Sequence, residues 1–188
     1  MKNLKLSCLA IVAILAITSC SKDKVAEPVL ENEVITTVIT TLANASGNVV
    51  LTSKDADGDG PGAPALTQTG TIVAGRVYAG SVKFLNELVT PVEDVTLEVQ
   101  TLGLEHQVFY QANATVGTFL YQDQDSAGKP IGLSFRYTAA VANATPQNLT
   151  VTLRHELNKS AAGVSAGNIA NAAGSTDAEV TYRVVITP

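Results

Sequence analysis

Val34-Ile35-Thr36-Thr37-Val38-Ile39-Thr40-Thr41-Leu42 is built almost wholly of β-branched residues. Two heavy atoms on Cβ crowd a helical turn but pack well on a pleated surface, so this stretch reads as a strand. The same composition recurs outward from it in short runs. These are Asn48 to Ser53 beyond a Ser46-Gly47 turn, Leu66 to Val73, Arg76 to Phe84, Val92 to Gln100, His106 to Ala112, Thr115 to Gln122, Ile131 to Ala139, Asn148 to His155 and Ala178 to Thr187. Val95, Leu97 and Val99 alternate with Thr96 and Glu98, the period of two expected of a half-buried strand. Gly, Pro, Asn and Asp separate the runs, and only Ser165 to Ala172 reads as one short helix or a loop. The pattern predicts an all-β protein, an antiparallel, immunoglobulin-like β-sandwich of roughly 8–10 strands.

Of the 188 residues, 46% are hydrophobic and 5% aromatic, with no Trp. That length suits one domain, or at most two small ones. The net charge of −5 removes the basic footprint that nucleic-acid binding needs. Phe119 and Tyr121, like Phe135 and Tyr137, are two residues apart and share one face of a strand, as core packing or as a stacking platform for a sugar.

Lys2 and Lys5 precede an uncharged stretch from Leu6 to Ile17, which is shorter than the about 20 residues a spanning helix needs. It has the length of a signal-peptide core. Ile17-Thr18-Ser19-Cys20 resembles the lipobox of bacterial lipoproteins, which implies acylation of Cys20 and its exposure as the mature N-terminus. The alternative is a plain secretory signal with an incidental cysteine. The expected division is a signal peptide over 1–19, an acylated Cys20 with a polar tether over 20–32, and a single domain over 33–188. Cys8 leaves with the signal, so no disulfide is available to the mature chain. Loss of Lys2 and Lys5 from the 12 basic side chains leaves 10 against 17 acidic ones, a formal charge of −7. Such a domain needs lipid, not charge, to hold it at a membrane. Cys20-Ser21-Lys22-Asp23 partly resembles a surface-export signal, leaving open whether the domain faces the cell surface or the periplasm.

Four patterns bear on chemistry. Asp55, Asp57 and Asp59 alternate before Gly60, as in the first half of a calcium loop, where carboxylate oxygens converge and Gly permits the turn. Leu66 stands where an EF-hand would place a bidentate Glu, so a solvated hairpin turn is the competing reading. Asp123 and Asp125 are a weaker echo, and Asp125-Ser126-Ala127 resembles a Bacteroidetes O-glycosylation sequon, with Ser126 as the acceptor. His106 and His155 each adjoin a glutamate, Glu105 and Glu156. Brought together across a sheet they would offer two imidazoles and one or two carboxylates to a transition metal; apart, they are two unrelated histidines. Gly163-Val164-Ser165-Ala166-Gly167 fits the nucleophile-elbow spacing, but no His follows it and no strand-to-helix context surrounds it, so Ser165 reads as a loop serine. The five Asn-x-Ser/Thr tripeptides reflect Asn/Thr-rich composition in a chain with a bacterial lipobox.

Glu33-Val34-Ile35-Thr36-Thr37, Lys54 to Gly60, Phe84-Leu85-Asn86-Glu87, Glu105-His106-Gln107-Val108-Phe109-Tyr110 and Thr152 to His155, running into Ala161 to Gly167, together resemble a group of small Bacteroidetes outer-membrane lipoproteins. Some of these carry the label "type 1 periplasmic binding fold superfamily protein". That fold is α/β with two lobes, and no alternating βα units are visible here. The resemblance implies a non-enzymatic binding module accessory to a TonB-dependent receptor in nutrient or metal uptake. The competing expectation is a structural or adhesive surface domain stabilised by calcium.

Overall fold

The computed structural model describes residues 33–58 and 61–188. The expected signal peptide, Cys20 and tether lie outside the described residues, as does Asp59. Among the described residues, no helix is long and apolar enough to cross a membrane.

Two sheets form an all-β sandwich. The larger sheet contains β1 (Thr37–Asn44), β2 (Gly47–Lys54), β3 (Ala65–Thr69), β5 (Val77–Asn86), β6 (Glu93–Asp94), β8 (Gly117–Tyr121) and β9 (Ser134–Ala139). Its order is β3-β2-β1-β5-β9-β8, with β6 pairing beside β5. The smaller sheet, in order β4-β11-β10-β7, contains β4 (Ile72–Val73), β7 (His106–Ala112), β10 (Asn143–His155) and β11 (Ser175–Thr187). Every ladder is antiparallel except β4 on β11, which is parallel.

The alternation in β5 shows why these segments are strands. Tyr78, Gly80, Val82, Phe84 and Asn86 are buried, while Val77, Ala79, Ser81 and Lys83 face solvent. Gly80 has a steric task as well. A Cβ there would stand 2.2 Å from the Phe135 ring, its cross-strand partner, so only glycine lets that ring lie flat across β5. Leu42, Leu51, Tyr78 and Phe84 meet Val108, Leu149, Val151, Leu153, Tyr182, Val184 and Ile186 in one core between the sheets. Burying each of the aliphatic side chains contributes about 1.5–3 kcal/mol. Phe119 pairs with Tyr137 and Tyr121 with Phe135, and these rings join Tyr110 in the core, the packing alternative expected of them.

Three local expectations need correction. The run from Leu66 to Val73 is not one strand, because Gly70, at φ 74°, turns the chain between β3 in the larger sheet and β4 in the smaller. Residues 92–100 are not one strand; the short β6 leads into a helix, α1 (Thr96–Thr101). Val95 and Val99 are one helical turn apart and both are buried, whereas Leu97 is 62% exposed. Thr96 fixes the entrance to the helix, accepting from Phe84 N–H at Oγ1 and donating to Phe84 O. Residues 165–172 hold two 3-10 turns (Val164–Ala166 and Ile169–Asn171) rather than one helix or plain loop. They cover the outer face of β7, where Phe109, Leu157, Val164 and Ala172 form a second small core. Among the described residues the strands number eleven, slightly above expectation, because β4 and β6 are two-residue ladders.

Candidate metal centre

In β7, His106, Val108 and Tyr110 point inward; in β10, Leu149, Val151, Leu153 and His155 do the same. The register sets His155 directly opposite His106. Two imidazoles thus occupy the last inner positions of neighbouring strands, where the sequence would otherwise continue with apolar residues. Their ring centroids are 4.5 Å apart and their planes differ by 11°.

A bulge supplies the carboxylate. In the β10–β11 ladder, Leu153 pairs with Ala178 but Arg154 pairs with Thr176, leaving Asp177 as an extra residue. An extra residue on one strand turns its side chain away from strict alternation. Asp177 is aimed inward, its side chain fully buried. The bulge is braced on its outer side by Arg154, whose guanidinium donates to Ala173 O, Gly174 O and Thr176 Oγ1. Gly174, at φ 70°, brings the start of β11 so close to His155 O that a Cβ would lie 2.1 Å from it. Ala173 and Glu156 also adopt left-handed backbone, at φ 54° and 51°. Strained residues of this kind collect where the surrounding structure fixes a site.

Glu33 completes the cluster from the segment leading into β1. Its Oε1 is 3.3 Å from His106 Nε2, and Asp177 Oδ2 is 3.7 Å from the same nitrogen. Asp177 Oδ1 lies 3.9 Å from His155 Nδ1, while Glu105 Oε2 stands 3.7 Å from His155 Nε2. Ligand atoms about 2.0–2.1 Å from a tetrahedral ion are about 3.3–3.4 Å apart, so these separations need only a small contraction around a metal. Ligand atoms of His106, His155 and Asp177 fall within 4.8 Å of one another.

The tautomer of neutral His106 suits coordination. His106 Nδ1 is 3.1 Å from Leu102 O, which only accepts, so Nδ1 carries the proton and neutral His106 presents a lone pair at Nε2. Burial works against the imidazolium of His106, but Glu33, the Leu102 carbonyl and Asp177 outweigh it and raise its pKa above the ordinary value. Burial, then the charge of Glu33, raises the Asp177 carboxyl, although His155, His106 and Arg154 pull the other way. Both oxygens of Asp177, Nε2 of each histidine and Oε2 of Glu33 are buried without a hydrogen-bond partner. Buried polar groups are ordinarily satisfied, so the unpartnered oxygens of Asp177, His106 Nε2 and Glu33 Oε2 around one cluster make a donor set that suits a cation. A cleft of about 290 Å³ leads in, with Glu33, Asp55, Asp177 and Glu179 in its wall, a run of negative charge that concentrates cations.

The other sequence candidates are placed elsewhere. Asp55 and Asp57 belong to the loop joining β2 to β3. Asp55 Oδ1 accepts from Asp57 N–H at 3.2 Å and Asp57 Oδ2 from Gly62 N–H at 3.1 Å, the capping of a hairpin turn. Asp123 and Asp125, the second acidic pair, are fully committed. Asp123 accepts from Gly132 and Ser134 N–H, and Asp125 from Ala127 and Lys129 N–H. The buried Lys159 ammonium fills the cationic place there, 2.8 Å from Asp125 Oδ2. Ser126 is exposed at the tip of that turn. Glu156 is exposed and outside the cluster, whereas Glu105 serves His155 and not its chain neighbour. Ser165 Oγ donates to Lys159 O, 2.7 Å away, which occupies the hydroxyl of the elbow-like motif.

Glu33 and Asp177 are the residues that sequence reasoning missed as ligands. The one signal for Asp177 is an acid set just before a run of apolar alternation. Compared with known proteins, the chain matches no family model, no curated protein and no solved structure.

Proposed function

We propose that this chain is a lipid-anchored outer-membrane protein whose β-sandwich is a non-enzymatic module for a divalent transition metal, accessory to a TonB-dependent receptor in metal uptake. The observation that carries the metal reading is the convergence of His106, His155, Asp177 and Glu33 with their inward atoms unpartnered. Two imidazoles with carboxylates and no thiolate favour zinc, copper(II) or a similar ion over calcium or copper(I). His106 and His155 would supply nitrogen, Asp177 and Glu33 oxygen, and the acidic cleft would draw the ion inward. Deep burial of the ligands suits retention of an ion more than turnover of a larger substrate. The lipid anchor and receptor partnership rest on the lipobox-like Ile17 to Cys20 and on the family resemblance.

Elemental analysis of the protein purified from native membranes tests the reading directly. Expected is bound zinc, copper, iron or manganese that His106→Ala or His155→Ala removes, together with a co-purifying outer-membrane receptor. Calcium alone, or no metal, would refute the capture role, and failure of Cys20 to incorporate labelled palmitate would refute the anchor.

A further inference from the structure

We propose that the centre holds two metal ions bridged by Asp177, not one. This rests on the metal-binding reading above and specifies its stoichiometry. An imidazole nitrogen directs its lone pair within the ring plane, so an ion lies near that plane at about 2.0–2.1 Å. The rings of His106 and His155 are stacked, with centroids 4.5 Å apart and planes only 11° from parallel. Planes in van der Waals contact are about 3.5 Å apart, and an ion shared between them would sit about 1.75 Å out of each, where neither lone pair points. The stack is therefore a poor chelate for a single ion. It is a good support for two, one in the plane of each ring.

Asp177 divides in the same way. Its Oδ2 faces His106 Nε2 at 3.7 Å and its Oδ1 faces His155 Nδ1 at 3.9 Å. One oxygen for each imidazole is the arrangement of a bridging carboxylate, which spans ions about 3.5–4 Å apart. Glu33 Oε1, 3.3 Å from His106 Nε2, gives the first ion a third ligand. Of the remaining ring nitrogens, that of His106 has an acceptor within hydrogen-bond reach, which fixes its tautomer. His106 Nδ1 meets Leu102 O, and His155 Nε2 faces Glu105 Oε2. A metal-bound histidine backed by a carbonyl or carboxylate is how such ligands are oriented.

Metal counting on the full chain in detergent decides the matter. After stripping with chelator, saturation with zinc and desalting, two zinc ions per chain are expected. Asp177→Asn leaves no bound zinc, His155→Gln keeps one, and Asp57→Asn in the exposed loop leaves it at two. Loaded with copper(II), the wild-type protein gives the electron paramagnetic resonance of a spin-coupled pair. One zinc per chain at saturation, a second zinc lost with Asp57→Asn, or an isolated copper signal coupled to two nitrogens overturns the two-ion centre and leaves the metal reading intact. Absence of any bound ion overturns both. The wild-type count decides even where a variant misfolds, which circular dichroism detects.

Discussion

Asp177→Asn should stabilise the metal-free protein and abolish its response to metal. The Asp177 carboxyl is buried with neither oxygen partnered, and burial together with Glu33 raises its pKa. A carboxyl raised in the folded state lends stability below its unfolded value, and that contribution is lost as pH rises through the folded value. When ionised, the group is a buried anion with no hydrogen-bond partner, favoured only by the charges of His155, His106 and Arg154. Leaving a buried group unsatisfied costs about 1–3 kcal/mol, and more when it is charged. The asparagine amide still needs partners, so recovery of about 1–2 kcal/mol is expected. In a domain of this size each 1 kcal/mol moves Tm by about 2–4 °C, giving a rise of about 2–8 °C in the presence of chelator. With zinc at 100 times its Kd the wild-type protein gains about 2.7 kcal/mol that the variant lacks, and the order reverses. Thermal melts followed by circular dichroism at pH 8, with chelator and with zinc, supply the comparison. A lower Tm for the chelated variant would show that Asp177 is a satisfied structural partner, and an equal zinc shift in both proteins would remove it from the centre.

Zinc affinity should fall on acidification, beginning above the ordinary histidine value, because a proton competes for His106 Nε2 and its pKa is raised in the folded protein. The same raised pKa gives the metal-free protein a contribution that is full below about pH 6.5 and fades as pH rises; calorimetric titrations at pH 8, 7 and 6 showing a flat profile would contradict this. Gly174→Ala should cost more than Gly75→Ala and should weaken zinc binding, since the new Cβ would meet His155 O at 2.1 Å whereas nothing lies within 4 Å at Gly75. Both positions have positive φ, so the shared conformational cost is about 1–2 kcal/mol, and urea denaturation reads the excess at Gly174. Asp125→Asn should destabilise the domain by about 3–5 kcal/mol, because it leaves the Lys159 ammonium buried without its anion. Burial works to raise the Asp125 carboxyl, but Lys159 and the N–H groups of Lys129 and Ala127 hold it below its ordinary value. Its stabilisation is therefore present above about pH 4 and is lost as pH falls through the folded value, so acid unfolding of the variant should be shallower.

The strands were legible because their local preference and their burial agree. β1 and β5 carry β-branched or alternating residues over their whole length, and the core lies where the alternation puts it. Residues 95–99 were ambiguous in principle. Val95 and Val99 fit a period of two and also one helical turn, and the contact of Thr96 with the backbone of Phe84 anchors the start of the helix. The histidines were visible as residue types, and their meeting depends on a register that no local signal fixes. Asp177 was hidden for a stronger reason. Its inward direction comes from a bulge, a long-range mismatch between β10 and β11, and Glu33 precedes β1, outside any ladder that periodicity can detect.

The origin of the four side chains has a mechanical consequence. His106, His155 and Asp177 stand on adjoining strands of the smaller sheet, which fixes their spacing through backbone ladders. Glu33 comes from the segment entering β1, a central strand of the larger sheet. An ion held by all four would therefore join the two sheets at the end of the sandwich, where the apolar core gives way to polar residues and hydrophobic contact between the layers has ended. Without the ion, that junction consists of mutually repelling Glu33 and Asp177 with only His106 between them. The same replacement of repulsion by coordination would give metal occupancy its affinity and close the sandwich at that end. Metal binding and local order would thus be coupled through Glu33, and Glu33→Gln should weaken both together, whereas a site confined to one sheet would lose affinity alone.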